Sequence, residues 1–305
     1  MASEIVGGAE MAPPTAVAGG RVARSRQLAP FLPAGLILIL LFFAPLALML
    51  VFSFWHTDED LNIATTWSLD NYANFFTNPA YVRTLAKTMI MGAGVTLACL
   101  VTAFAVAYFL ARYVSRRWAR VALLAIIVPF WTSYLLRVYS WQAILGEKGA
   151  LNQLLMGLGV IDEPSRLFVY NDVGTFIVLV YVYVPFAALV LYASLERFDF
   201  TQLTAAQDLG ARPLAAFRHV LLPQIRPGLI TACIFVFIPI LGEFLTPSMV
   251  GGAQGLLIAN LITNFFGNAL IPEGAAVSFM IAAIVLLLLI VFRKYLRVED
   301  VYARG

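Results

Sequence analysis

The strongest constraint on this chain is a recurring run of about 20 apolar residues, the length a helix needs to cross some 30 Å of hydrocarbon. Six such runs stand out: Phe31–Phe54, Thr88–Ala111, Val121–Trp141, Gly174–Leu195, Gly228–Val250 and Ala275–Phe292. Lipid offers the backbone no hydrogen-bond partners, so each run must satisfy its own N–H and C=O groups as a helix. Charged residues make up 12% of the 305 residues, where a soluble domain carries about 25%. The pattern predicts an all-α integral membrane protein with six transmembrane helices.

Lysine and arginine orient it. With the N-terminus inside, 15 of the 20 basic residues fall on inner segments. The exceptions are Arg83, Lys87, Arg137, Lys148 and Arg166. That bias places both termini in the cytoplasm. Acidic residues gather on the outer loops: Asp58, Glu59, Asp60, Asp70, Glu147, Asp162, Glu163, Asp172 and Glu273. The net charge of +3 thus averages two unlike faces and does not point to nucleic acid. Residues 1–30, polar and small with an arginine cluster, read as a disordered cytoplasmic tail. The run after them is too long for a signal peptide. The membrane domain is expected over 31–293, and a short cytoplasmic tail over 294–305.

Cys99 and Cys233 lie in separate apolar runs and form no ligand-spaced pair, which excludes a disulfide framework or metal motif. "GEKGALN" (Gly146–Asn152) lacks the glycine-lysine-serine/threonine spacing of a phosphate loop, and "GGAQG" (Gly251–Gly255) reads as a turn. His56 and His219 have no nucleophile or metal constellation beside them. No nucleotide site or metal motif is visible in the sequence.

The orientation puts about residues 197–227 in an inner loop containing "TAAQDLGARPLAAFRHVLLPQIRPG" (Thr204–Gly228). Two helical pieces are expected in it. The first is about Thr201–Leu209, with Thr201 as N-cap and Gly210 as stop. The second starts at Pro213 and ends near Pro223. Ala205 and Ala206 leave the backbone nearly bare, which suits close docking of another protein. An amphipathic connector lying on the membrane is the plainer alternative.

This loop resembles the cytoplasmic loop of ABC importer permeases: Glu-Ala-Ala, three residues, Gly, nine residues, Ile-x-Leu-Pro. Ala205, Ala206 and Gly210 occupy the first part, Val220, Leu222 and Pro223 the second, and Thr204 stands where the family has glutamate. "DNYANFFTNPAYVRTLAKT" (Asp70–Thr88), "PFWTSYLLRVYSWQAILGEKGALN" (Pro129–Asn152), "LGEFLTPSMVGG" (Leu241–Gly252) and "PEGAAVS" (Pro272–Ser278) are similar to stretches of the spermidine/putrescine permeases, most of all the first permease subunit. The likeness covers about residues 30–295. It implies the type I importer permease architecture in a bacterial inner membrane, pairing with a second homologous permease. It further implies two ATPase subunits that bind ATP and magnesium, a coupling helix docked on them, and an extracytoplasmic solute-binding protein.

Glu243 is the acidic residue inside a predicted span, and Pro239 and Pro247 flank it at four residues on each side, marking a kink or interruption. A carboxylate at such depth is costly and faces a cavity or a partner. Two readings fit: a pathway carboxylate for a cationic solute, or a hydrogen bond between helices. Trp131 and Tyr134, with Tyr139 and Trp141, either cradle an ammonium or belong to the interfacial aromatic belt. Arg137 is expected to pair with an outer acid or lipid headgroups. The alternatives to an ATP-driven permease are an ion-coupled carrier using Glu243 and a membrane enzyme, which would need clustered reactive residues.

Overall fold

The computed structural model describes residues 35–37, 39–58 and 60–296. The expected tail 1–30 lies outside the described residues, as do 297–305 of the expected C-terminal tail. The chain divides into two units between Leu48 and Met49. The first unit contributes most of an apolar helix, α1 (Gly35–Phe52). The second holds the remaining elements, and its helices long and apolar enough to cross a membrane are α3 (Pro79–Tyr113), α7 (Asp172–Leu195), α9 (Pro213–Leu241) and α11 (Ile271–Leu296).

The third predicted run is bent. Helix α4 (Arg116–Ile127) ends in a tight turn, Val128–Trp131, and the chain resumes as α5 (Tyr134–Leu145) and α6 (Ala150–Gly157). The two halves meet at 92°. Pro129 supplies no N–H to the turn, and Thr132 and Ser133 are extended, with ψ of 151° and 136°. Thr132 Oγ1 donates to the Pro129 carbonyl at 2.6 Å and so closes the turn. Counting this pair as one crossing gives six among the described residues.

The core of the second unit is the mutual packing of α3, α7 and α9. Cys99, Ala103 and Ala107 recur every fourth residue on α3 and are fully buried. Small side chains at that spacing let neighbouring helices approach closely, which is how helices hold together where lipid removes the hydrophobic drive between them. The opposite face of α3 carries Leu97, Val101 and Phe109, all more than half exposed, as a helix facing hydrocarbon requires. Helix α11 completes a second cluster with α2 (Asp70–Thr77) and α10 (Ile258–Gly267), built on Phe75, Ile258 and Val277.

Ion pairs fix the relative direction of α3 and α7. Lys87 meets Asp172 at 2.7 Å near the start of both helices, and Arg116 meets Glu196 at 2.7 Å just past the end of both. The two helices therefore run parallel. All connections between 196 and 212 lie at one end of the bundle, called here the loop end. A short hairpin, β1 (His56–Thr57) with β2 (Ile63–Ala64), is associated with the opposite end.

At the crossing of α7 and α9, a Cβ added to Gly228 would stand 1.9 Å from Ser194 Oγ and 2.6 Å from Ser194 Cβ. Backbone has to move to admit it. Gly228→Val is expected to lower stability by about 1–3 kcal/mol through overpacking, read as the thermal midpoint of the purified protein in detergent. Ser194→Gly in the same chain should restore part of the loss.

Candidate functional site

Two places combine the residues singled out by sequence. The first is a break in the span that begins with α9. Helix α9 stops at Leu241, where Gly242 and Glu243 turn back on the carbonyls of Pro239 and Ile240 at 3.1 Å. A new helical stretch begins at Leu245 and widens over Pro247–Gly251. The prolines at 239 and 247 thus bracket a true interruption, and Gly251–Gly255 forms the turn that follows.

Glu243 fills that interruption. Its Oε1 accepts the backbone N–H groups of Leu245 and Thr246, both at 3.1 Å, and so caps the new turn. Its Oε2 accepts the phenol of Tyr134 at 2.7 Å and that of Tyr183 at 3.4 Å. Thr246 Oγ1 lies 2.7 Å from Tyr134 Oη and can donate to it. One carboxylate therefore joins α5, α7 and the break, and Thr246 is fully buried. A second brace comes from Asn260 of α10. Its Nδ2 donates to the Phe244 carbonyl at 2.8 Å and to Ser248 Oγ at 2.7 Å, while its Oδ1 accepts Leu257 N–H at 2.9 Å. Gln142 on α5 donates to the Met249 carbonyl at 2.8 Å.

Tyr134 is thus brought to Glu243, but Trp131 is not: it is 90% exposed at the end of the turn. Tyr139 is exposed, and Trp141 packs on Tyr181 with centroids 5.0 Å apart. Arg137 has no acid partner among the described residues. Its guanidinium sits 4.4 Å over the Phe130 ring and 5.5 Å from that of Tyr134. Sequence reading missed Tyr183 and Asn260. The available signal was a polar side chain inside an apolar segment, as in "LLIANLITNFF" (Leu256–Phe266).

The second place is the loop end. Asp199 Oδ1 accepts both the backbone N–H (3.0 Å) and the hydroxyl (2.7 Å) of Thr201. The start of α8 (Thr201–Asp208) is therefore held by Asp199, and Thr201 is its first residue, not its cap. These two donors hold the Asp199 carboxyl below the usual carboxylate range. A group whose folded pKa is lowered keeps its contribution above its ordinary value and loses it as pH falls through the lowered one, so this start survives mild acid. At the other end Ala211 N–H bonds the Ala206 carbonyl at 3.0 Å and Gly210 N–H bonds the Gln207 carbonyl at 2.9 Å. This paired closure needs a left-handed residue, and Gly210 has φ +91°.

Leu203 is buried and Ala206 packs on the core, whereas Thr204 and Ala205 are exposed. Leu209 and Leu214 are also exposed, at 90% and 76%. Helix α8 packs against Phe217–Leu221 of α9, and Gln224 Nε2 donates to Gln202 Oε1 at 2.6 Å. The second piece does not end near Pro223. It continues through Pro223 and Pro227 to Leu241 as one helix. A single wide turn at Phe217–Leu221, in which Leu222 N–H reaches back to Phe217, shifts the register just ahead of the ring that lacks an N–H. Val220 and Leu222 are half-buried, and Pro223 is exposed.

Residues 103–298 match the family described as the binding-protein-dependent transport system inner membrane component. The chain belongs to that family. It is the permease subunit of an ABC importer, and its α-helical architecture is that of type I permeases. The spermidine/putrescine transport system permease protein PotB of Escherichia coli (strain K12) is 37% identical to this permease over 84% of the chain and 92% of its own length. PotB of Haemophilus influenzae is 33% identical over 84% and 89%. The inner membrane ABC transporter permease protein YdcU of Escherichia coli (strain K12) is 32% identical over 83% and 84%. A chain in the crystal structure of a bacterial alginate ABC transporter, in complex with an alginate-pentasaccharide-bound periplasmic protein, has the same fold. It aligns with a TM-score of 0.68 at 15% identity, over 90% of this permease and 96% of that chain.

Removing one donor from Glu243 separates the contributions within the permease. Tyr134→Phe strips the 2.7 Å bond and leaves the Thr246 hydroxyl without its partner. It is expected to cost about 1–3 kcal/mol, read as a fall in thermal midpoint. Tyr183→Phe, which strips the 3.4 Å bond, should cost less than half as much.

Proposed function

We propose that this permease imports polyamines, putrescine and spermidine, or similar small cationic solutes. The observation that carries the reading is the identity with the PotB permeases along nearly their whole length. In this reading it forms the translocation pathway with a second homologous permease. Two ATPase subunits bind ATP and magnesium on the cytoplasmic side, and an extracytoplasmic solute-binding protein delivers the solute. The loop end faces the cytoplasm of a bacterial inner membrane and both termini lie there, in line with the lysine and arginine bias. In this reading residues 1–30 and the chain beyond 293, which starts with the last residues of α11, lie on the cytoplasmic side.

Helix α8 is the coupling helix. Ala205 and Thr204, exposed and small, face the ATPase, and Gly210 with the flanking Leu209 and Leu214 completes the docking surface. Ala206, Val220, Leu222 and Pro223 join that surface to α9. Thr204, standing where the family has glutamate, offers a hydroxyl where relatives offer a charge, so docking here relies on apolar contact. Glu243 and Tyr134 act at the break along the pathway. With both carboxylate oxygens already accepting hydrogen bonds, Glu243 takes the interhelical role, and Trp131 goes with the interfacial belt. An importer of this family draws on ATP, which leaves no need for Glu243 to carry protons.

Uptake of radiolabelled putrescine and spermidine tests the substrate, comparing cells lacking the gene with cells in which it is restored. Loss and recovery of uptake are expected. Unchanged uptake, with other polyamine systems removed, would overturn the substrate and leave the family untouched. The coupling role has its own test in Gly210→Val. Forcing a β-branched residue into the left-handed region costs roughly 1–2 kcal/mol and opens the closure of α8. Uptake should fall by about tenfold while the amount of the chain in the membrane stays constant.

A further inference from the structure

Helix α5 carries a guanidinium for which the described residues supply no acceptor. Arg137 Nε and Nη1 are closed off from outside without a hydrogen bond, and Nη2 makes none either but stays reachable. The guanidinium carbon lies 4.4 Å from the ring centroid of Phe130 and 5.5 Å from that of Tyr134. Ring faces attract the charge, but they leave the five N–H donors of an arginine without the oxygen acceptors they require. Arg137 opens on a cavity of about 330 Å³ whose lining includes Thr132, Ser140, Trp141 and Tyr181 and no acidic side chain. Both hydroxyls there are turned to backbone: Thr132 Oγ1 donates to the Pro129 carbonyl at 2.6 Å and Ser140 Oγ to that of Leu136 at 2.8 Å.

Depth decides what can satisfy this cation. Trp141 packs on Tyr181 with centroids 5.0 Å apart, and Phe130 meets Phe186 edge-on at 4.7 Å. Tyr181 stands about 14 Å along α7 from Asp172, and Phe186 about 14 Å from Leu195 at the other end. The guanidinium, held over Phe130, therefore lies in the middle of the crossing, on the order of 10 Å inside the hydrocarbon from either side. Its ring support draws it toward Phe186, the reverse of the snorkelling by which an arginine reaches lipid headgroups. An arginine so placed calls for a counter-charge within the membrane. We propose that a carboxylate on a membrane helix of the second permease enters this cavity and pairs with Arg137 through Nη2. The inference rests on the pairing of two permeases given under the proposed function. The surface beside Arg137 suits a helix: Leu136, Ser140 and Ile144 recur every fourth residue and are exposed, with the small serine between two apolar side chains. Tyr134 touches both this guanidinium and Glu243, so the charge stands beside the break, where left bare it would repel a cationic solute.

The test is recovery of the complex. The second permease carries an affinity tag, is made together with the full-length chain and the ATPase subunits, and the amount of this chain held by it is measured. Arg137→Glu should lower that amount by about tenfold, because like charges then meet at one place, and Arg137→Lys, which keeps the charge, should retain most of it. Each acidic residue in the spans of the second permease is then exchanged for lysine in cells carrying Arg137→Glu. One exchange is expected to restore the complex, and beside the parental Arg137 the same exchange should weaken it as Arg137→Glu does. A purely structural arginine could not be mended from another chain. Unchanged recovery with Arg137→Glu, or no exchange that restores it, overturns the assignment. If Arg137→Glu fails to reach the membrane, a benzophenone amino acid in place of Ser140, in an otherwise parental chain, is read instead. Photo-linkage to the second permease supports the proposal, and linkage to phospholipid alone, or to nothing, overturns it. A parental chain that does not bind the second permease overturns the pairing as well. The readout is assembly, so failure of the polyamine reading would show in uptake and leave this result standing.

Discussion

A backbone may be interrupted inside hydrocarbon only where side chains take over the hydrogen bonds that a helix would have made. Here the takeover is performed by one glutamate and one asparagine. Glu243 supplies the acceptor for the N–H groups freed at Leu245 and Thr246, and Asn260 supplies a donor for the Phe244 carbonyl. The same carboxylate accepts from α5 and α7, so the interruption is also the point where three separate segments are tied together. A buried carboxylate with every bond made is stable and specific, and with one bond lost it becomes the costliest group in the bundle. Tyr134, the first residue after the bend of the third crossing, is seated by this carboxylate.

The loop end solves a different problem, because there water is available and rigidity has to be built. Helix α8 has only eight residues, too few to hold itself together in isolation. Asp199 secures its start, the paired bonds at Gly210 and Ala211 secure its finish, and Leu203 anchors its underside. What remains outward is Thr204, Ala205 and Leu209, of which Ala205 has no side-chain rotamer to order. Ala205 leaves the backbone bare on that side, and Gly210 takes the left-handed conformation that closes the helix.

Much of this was legible in the sequence for identifiable reasons. Apolar run length fixed the spans, and the small-residue loop motif fixed the family. The proline pair around Glu243 marked the interruption. What escaped depended on partners distant in sequence. Nothing local to Tyr183 or Asn260 says which carbonyl or carboxylate it meets, and the third run looked continuous because its break at Thr132 and Ser133 is apolar on both sides. Thr201 looked like a cap because the more effective acceptor, Asp199, stands two residues earlier. Pro223 looked like a terminator because a wide turn that absorbs a proline has no sequence signature of its own.

The continuity of α9 has a mechanical consequence. One rod of 29 residues, on the order of 43 Å long, begins three residues beyond Gly210 and ends two residues short of Glu243. A tilt of about 5° pivoted at one tip sweeps the other through roughly 4 Å on that length, more than the span of any hydrogen bond in the Glu243 cluster. Had Pro223 ended the helix, as its chemistry suggests, a push on the loop would have been spent in a flexible joint. Because the wide turn carries the helix past it, the loop end and the break at Glu243 are joined by continuous helix, and a tilt of that helix moves the bonds gathered at the carboxylate.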